Sequence, residues 1–110
     1  MTMADLIAAA EAEGWRIRPS SLVPCPIVDG EVVAGFYCPH PVGRGRTRVG
    51  PIWVHPDFRG RRLAEQAYAS IDVPLVAYTH ATNVASERLH ERAGFSRWYR
   101  ARGGWYWRRG

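Results

Sequence analysis

The chain has no lysine; all 15 of its basic residues are arginine. It has two cysteines, Cys25 and Cys38, and no apolar run near the roughly 20 residues that cross a bilayer. The first of these absences puts every cationic contact in the hands of the guanidinium, a planar fork suited to phosphate and carboxylate. The second excludes a disulfide-built scaffold. Cys38-x-His40 lacks the spacing of a zinc site and no other His/Cys cluster completes it, so no metal is expected. The third absence excludes a membrane helix. The start of the chain carries Asp5 and a short alanine-rich stretch with no basic flank, which does not read as a signal peptide. The expectation is a soluble, cytoplasmic protein with no membrane partner.

What is present is ordinary globular material. The 110 residues are 46% apolar and 23% charged, enough for one core, so 1–110 is expected to be a single domain. The formal net charge of +5 favours anionic partners, whether nucleic acid or a cofactor carrying several phosphates.

Periodicity organises the chain into alternating element types. Residues 4–13 read as a helix with Leu6, Ile7 and Ala10 on one face and Gly14 as its stop. Residues 22–28 and 31–38 read as a hairpin about Asp29-Gly30, with Val28 opposite Glu31. In that register Cys25 faces Ala34 and Cys38 faces Ser21, which argues against a disulfide. Residues 39–46 read as a loop and 47–54 as a third strand, its Gly50-Pro51 marking a bulge or an interrupted ladder. A helix follows over about 61–71, with Leu63, Ala64, Ala67, Tyr68 and Ile71 on one face. A strand over 74–80 comes next, then a helix capped by Asn83, with Ala85, Leu89 and Ala93 inward. The tail reads as a second hairpin turning at Gly103-Gly104. This order predicts a mixed α/β layer fold.

The segment Val54 to Ala64 carries the most chemistry. A strand runs into Arg59-Gly60-Arg61-Arg62 and a helix starts at once. A helix start offers unpaired N–H groups and partial positive charge, and together these bind phosphate. Val54-x-Pro56 followed by Arg59-Gly60-Arg61-Arg62-Leu63-Ala64 resembles the acetyl-coenzyme A signature of the GNAT acyltransferase superfamily, Gln/Arg-x-x-Gly-x-Gly/Ala. Arg62 stands where that family usually has glycine. Downstream, Asn83-Val-Ala-Ser-Glu-Arg-Leu-His90-Glu-Arg-Ala-Gly94-Phe95 resembles the family's Asn-x-x-Ala/Ser…Leu-Tyr-x-x-x-Gly-Phe element. The two motifs cover 52–66 and 83–95, and the element order covers nearly all the rest.

The resemblance implies a GNAT-type α/β fold with a mostly antiparallel mixed sheet, splayed central strands and flanking helices. It implies transfer of an acetyl or similar acyl group from acetyl-coenzyme A to an amine acceptor by direct attack, with no metal. In that reading Arg59, Gly60, Arg61, Arg62, Leu63 and Ala64 hold the pyrophosphate. Ile52, Trp53 and Val54 offer an edge to the pantetheine, and Asn83 lies beside it. His90 occupies the place of the family's tyrosine, the acid for the departing thiolate. The strand 47–54 lacks the carboxylate many members use as base, and His80 and His55 are replacements by position. Two alternatives accompany this reading. One is a nucleic-acid-binding or nucleic-acid-modifying protein on the same fold; the other is a coenzyme A-binding or interaction domain without catalysis.

The tail interleaves Trp98, Trp105 and Trp107 with Arg97, Arg100, Arg102, Arg108 and Arg109. A Gly103-Gly104 turn pairs Arg102 with Trp105, Arg100 with Trp107 and Trp98 with Arg109. The resulting Arg/Trp ladder suits self-contained cation–π packing, a homodimer interface, or a surface for nucleic acid.

Overall fold

The computed structural model describes residues 1–17 and 23–110. Leu22, expected to open the first strand, and Ser21, expected opposite Cys38, lie outside the described residues. Three α-helices and six strands alternate in the expected order. They are α1 (Met3–Ala12), β1 (Cys25–Asp29), β2 (Val32–Gly43), β3 (Arg46–Val54), α2 (Leu63–Ala69), β4 (Leu75–His80), α3 (Val84–Arg92), β5 (Ser96–Ala101) and β6 (Gly104–Arg109). The strands form one six-stranded mixed sheet in the order β1-β2-β3-β4-β6-β5. The β3–β4 pairing is parallel, and β1–β2, β4–β6 and β5–β6 are antiparallel. The chain packs as two units, one of residues 1–39 and 50–64, the other of residues 40–49 and 65–110.

In the first unit Thr2 caps α1 in a reciprocal box with Asp5, and Gly14 (φ +97°) ends it, as its sequence signals require. Leu6 and Ala10 of α1 pack on Phe36, Cys38 and Trp53, with Ile7 at the edge. The first hairpin turns one residue later than expected. Asp29 pairs with Val32, so Gly30 (φ +63°) and Glu31 form the loop, and a bulge between Ile27 and Val28 sets Cys25 opposite Tyr37 rather than Ala34. Both cysteines are free thiols, and burial pushes Cys38 up in pKa. Gly35 permits a close approach here. A Cβ on it would lie 2.2 Å from the Trp53 carbonyl oxygen.

In the second unit the expected 39–46 loop is instead strand. β2 runs on to Gly43 and β3 begins at Arg46, with a tight turn at Arg44 (φ +54°) and Gly45 (φ +72°) between them. The tail hairpin also turns one residue earlier than expected, at Arg102 (φ +53°) and Gly103 (φ +76°). A left-handed pair of central residues matches the right-handed twist of a hairpin. Arg100 therefore faces Trp105 rather than Trp107, and a bulge at Trp98 sets Arg97 opposite Trp107. On α3 the expected inward face is rotated. Ala85 is exposed, and His90 is the buried residue of the helix.

Candidate functional site

The first unit contains every residue expected at the cofactor except Asn83. Trp53 is buried, while Ile52 and Val54 are half-buried. The Trp53 carbonyl points at β2 beside Gly35, and His55 N–H donates to Ala34 O at 2.8 Å. Backbone groups alternate along a strand, so Ile52 and Val54 present theirs to the side away from β2. One of these groups is already used. Arg59 Nε donates to Val54 O at 2.9 Å.

Arg59 is the centre of a cluster that sequence reasoning missed. Its Nη2 contacts both Glu13 carboxylate oxygens, at 2.9 and 3.0 Å, and its guanidinium lies over the Trp53 ring at 5.8 Å. Trp53 Nε1–H donates to Glu13 at 3.0 Å. The Arg59 guanidinium holds the Glu13 carboxyl below its ordinary range. Glu13 thus ties the end of α1 to Trp53 and Arg59. It arrives from the end of α1, forty residues away in sequence, and no local pattern marks it.

The loop from Val54 to α2 is ordered by short-range bonds. His55 Nδ1 accepts from Asp57 N–H at 3.1 Å and caps a 3-10 turn over Pro56–Phe58, so this histidine is occupied in shaping the loop. Arg61 pairs with Asp29 and lies over Phe58. α2 starts at Leu63 rather than 61, which places Arg61 and Arg62 in the loop ahead of it. Arg62 adopts φ +57° and Gly60 φ +84°, and a Cβ on Gly60 would meet nothing within 4 Å. Arg62 thus stands in a left-handed conformation at the position where glycine carries no steric cost. The first N–H groups of α2 have no partner inside the helix. The bend at Gly60 is open space, and the Arg59 and Arg61 guanidiniums on either side of it pair with the carboxylates of Glu13 and Asp29.

The second unit holds Asn83, His80 and His90. Asn83 caps α3, its side-chain oxygen accepting from Ser86 N–H at 3.1 Å. His80 is exposed, and Thr82 N–H donates to its Nδ1 at 3.3 Å, so the proton of the neutral ring sits on Nε2. His90 is only 2% exposed. Its Nδ1 lies 2.6 Å from Ser86 O, an acceptor, so Nδ1 carries the proton and the Tyr68 hydroxyl donates to Nε2 at 2.8 Å. Tyr68, Phe95 and Trp107 surround the ring. Burial lowers the His90 pKa, partly offset by the Ser86 carbonyl, and pushes the Tyr68 phenol up. Arg109 completes this unit's interior by donating to Tyr68 O at 2.9 Å and to Ile71 O just past the end of α2.

β3 pairs with β4 only at Thr47↔Leu75 and Arg48↔Val76 among the described residues. The ladder ends ahead of Gly50-Pro51, as an interrupted strand requires. The acetyltransferase (GNAT) family profile matches residues 4–95, most of the chain. The chain belongs to the GNAT acetyltransferase family. Solved structures agree on the fold. A Klebsiella pneumoniae protein described as an acyl-CoA N-acyltransferase superposes with TM-score 0.72 at 18% identity, over 96% of this chain and 86% of that one. A GNAT-family acetyltransferase from Bacillus anthracis gives 0.63 at 15% identity, over 77% and 63%. The Campylobacter jejuni N-acetyltransferase PseH, in complex with acetyl coenzyme A, gives 0.59 at 17%, over 74% and 62%. No curated protein matches the chain in sequence. Family membership supports acyl transfer from acetyl-coenzyme A to an amine as the general chemistry. Among the described residues no group of three or more His, Cys, Asp or Glu side chains is placed to hold a metal, and no helix is long and apolar enough to cross a membrane.

Proposed function

We propose that residues 1–110 act as one acyltransferase domain that moves an acetyl group from acetyl-coenzyme A to an amine. The observation that carries this reading is the 59–64 segment of a GNAT chain, with its left-handed bend at Gly60 and Arg62 leading into the start of α2. In this proposal the N–H groups of 60–64 bind the pyrophosphate. The outward backbone groups of Ile52 and Val54 hold the pantetheine. Arg59 acts at one remove, fixing Val54 and Glu13. The amine forms its C–N bond at the thioester carbonyl as the C–S bond breaks, and the proton shed by the amine balances the departing thiolate.

Proton handling is assigned to His80, whose ring reaches solvent, and to water. His90 is assigned to packing, because both of its nitrogens are engaged inside the protein. Much of acyl transfer comes from orientation and oxyanion stabilisation, so no dedicated acid is required.

A thiol-release assay with acetyl-coenzyme A against a panel of amines tests the reading. The sequence has no lysine of its own to be acylated, which keeps the background low. Acetyl-coenzyme A at a hundred times its dissociation constant should stabilise the fold by about 2.7 kcal/mol. No binding by calorimetry at millimolar concentration refutes the proposal. Binding without turnover of any amine favours a coenzyme A-binding domain that has lost catalysis.

A further inference from the structure

The Arg/Trp ladder expected in the tail is not an open surface. Trp107 is 1% exposed and its Nε1–H donates to Thr79 at 2.8 Å, while Arg97 pairs with Glu87 and lies over Trp105 and Trp107. The opposite face of the same strands is different. Arg48, Val76 and Arg108 stand in one row across β3, β4 and β6, and Tyr78, Tyr106 and Tyr99 in the next row across β4, β6 and β5. Around them lies a groove of about 550 Å³, all of it within the second unit. Its lining includes Arg44, Arg46, Arg48 and Arg108, the rings of Trp98, Tyr99 and Tyr106, and no Asp or Glu.

None of those four arginines has an Asp or Glu side chain within ion-pair distance among the described residues. Arg46 donates to the Gly110 main-chain oxygen at 2.9 Å and lies over Trp98, as does Arg108, while Arg48 lies over Tyr106. Trp98 is 42% exposed and Tyr99 45%. Arg44, Arg48 and Arg108 have no carboxylate partner among the described residues, and with Arg46, which meets the Gly110 oxygen, they make a basic face suited to an anion. Flat apolar rings beside them suit an anion with aromatic planes of its own. A duplex offers phosphates but hides its bases, and an acidic peptide offers charge without rings. We infer that this face binds single-stranded nucleic acid, phosphates on Arg44, Arg46, Arg48 and Arg108, bases against Trp98, Tyr99 and Tyr106. This site is separate from the acyl-transfer residues and does not depend on them.

The test is fluorescence anisotropy of the full chain with a fluorescein-labelled single-stranded RNA of about twelve nucleotides, at about 50 mM salt and upward. Binding in the micromolar range is expected, with a log–log salt slope of about −2 to −3. Arg48→Gln/Arg108→Gln should weaken binding at least about tenfold and reduce the slope by roughly 1.4, since each phosphate contact on a single strand contributes about 0.7. Trp98→Leu should weaken binding about fivefold or more and leave the slope in place. Unchanged melting and acetyl-coenzyme A binding confirm the fold of each variant. Should the double variant not fold, Arg108→Gln alone, at an exposed position, carries the comparison. No anisotropy change, or wild-type affinity in a folded arginine variant, overturns the inference. Equal competition by heparin or by a duplex of the same length overturns it in favour of generic polyanion attraction. A dimer by light scattering that Trp98→Leu dissolves, without RNA binding, assigns the face to a second copy instead.

Discussion

The neutral, enclosed ring of His90 makes stability depend on pH in a calculable way. Burial lowers its pKa in the folded state, while the unfolded chain titrates near the ordinary value of about 6.5. Below that pH the unfolded state binds a proton that the folded state refuses. The contribution is therefore fully present above about pH 6.5 and is lost as pH falls through the folded pKa. The slope is at most about 1.4 kcal/mol per pH unit, so acidification from 6.5 to 5 costs up to about 2 kcal/mol. His90→Phe removes the titrating group and strands the buried Tyr68 hydroxyl, at about 1–3 kcal/mol. Urea denaturation across pH 5–8 should give a variant that is weaker at pH 7.5 and flatter towards pH 5 than wild type. Its acetyl-transfer rate per folded molecule should be close to wild type. A wild-type stability that does not change between pH 7.5 and 5, or the same slope in the variant, defeats the linkage reasoning. A rate loss of about 10²–10⁴ would return His90 to the role of general acid.

Two further outcomes follow from backbone geometry. Arg62→Gly should relieve the left-handed strain and raise stability by up to about 1 kcal/mol in thermal denaturation, with acetyl-coenzyme A affinity equal or better; lower stability would mean that the contacts of the Arg62 side chain outweigh the strain. Gly35→Ala should drive a Cβ into the Trp53 carbonyl and destabilise by about 2–4 kcal/mol, shifting β3 and weakening cofactor binding together; a melting temperature equal to wild type would refute the close approach.

The elements that were legible in the sequence carry their own end signals. Gly14 ends α1, Asn83 caps α3, and the Arg59–Ala64 signature marks its loop. The registers were not legible. Arg44 and Arg102 adopt left-handed backbone in their turns, a conformation glycine and asparagine usually supply, so a pattern keyed to glycine pairs misplaces them, while the first hairpin turns at Gly30-Glu31 instead of Asp29-Gly30. Bulges beside Val28 and at Trp98 then shift the remaining pairs. Pro39 and Pro41 suggested a loop, yet β1 stops pairing at Tyr37, and a proline beyond that point forfeits no ladder bond on that side. At the site, no local pattern marks Glu13, because its partners, Trp53 and Arg59, lie far along the chain. The sequence shows the chemistry of His90 and not its burial, which makes it an interior hydrogen-bonding group.

The turn at Arg102 and Gly103 is tied to the end of β4. The Tyr78 hydroxyl donates to Arg102 O at 2.7 Å, and Ala81 N–H donates to Gly103 O at 3.0 Å. Gly104 leaves no room for a Cβ beside Thr79 O. An arginine-specific protease must draw several residues of chain into an extended form before it can cut. At this exposed Arg-Gly bond both carbonyls of the turn are already committed to a neighbouring strand, so accessibility alone does not make it a cleavage site. Peeling the tip away requires breaking β4's own end, and the bond's lifetime against digestion is thereby set by the opening of β4 rather than by the loop.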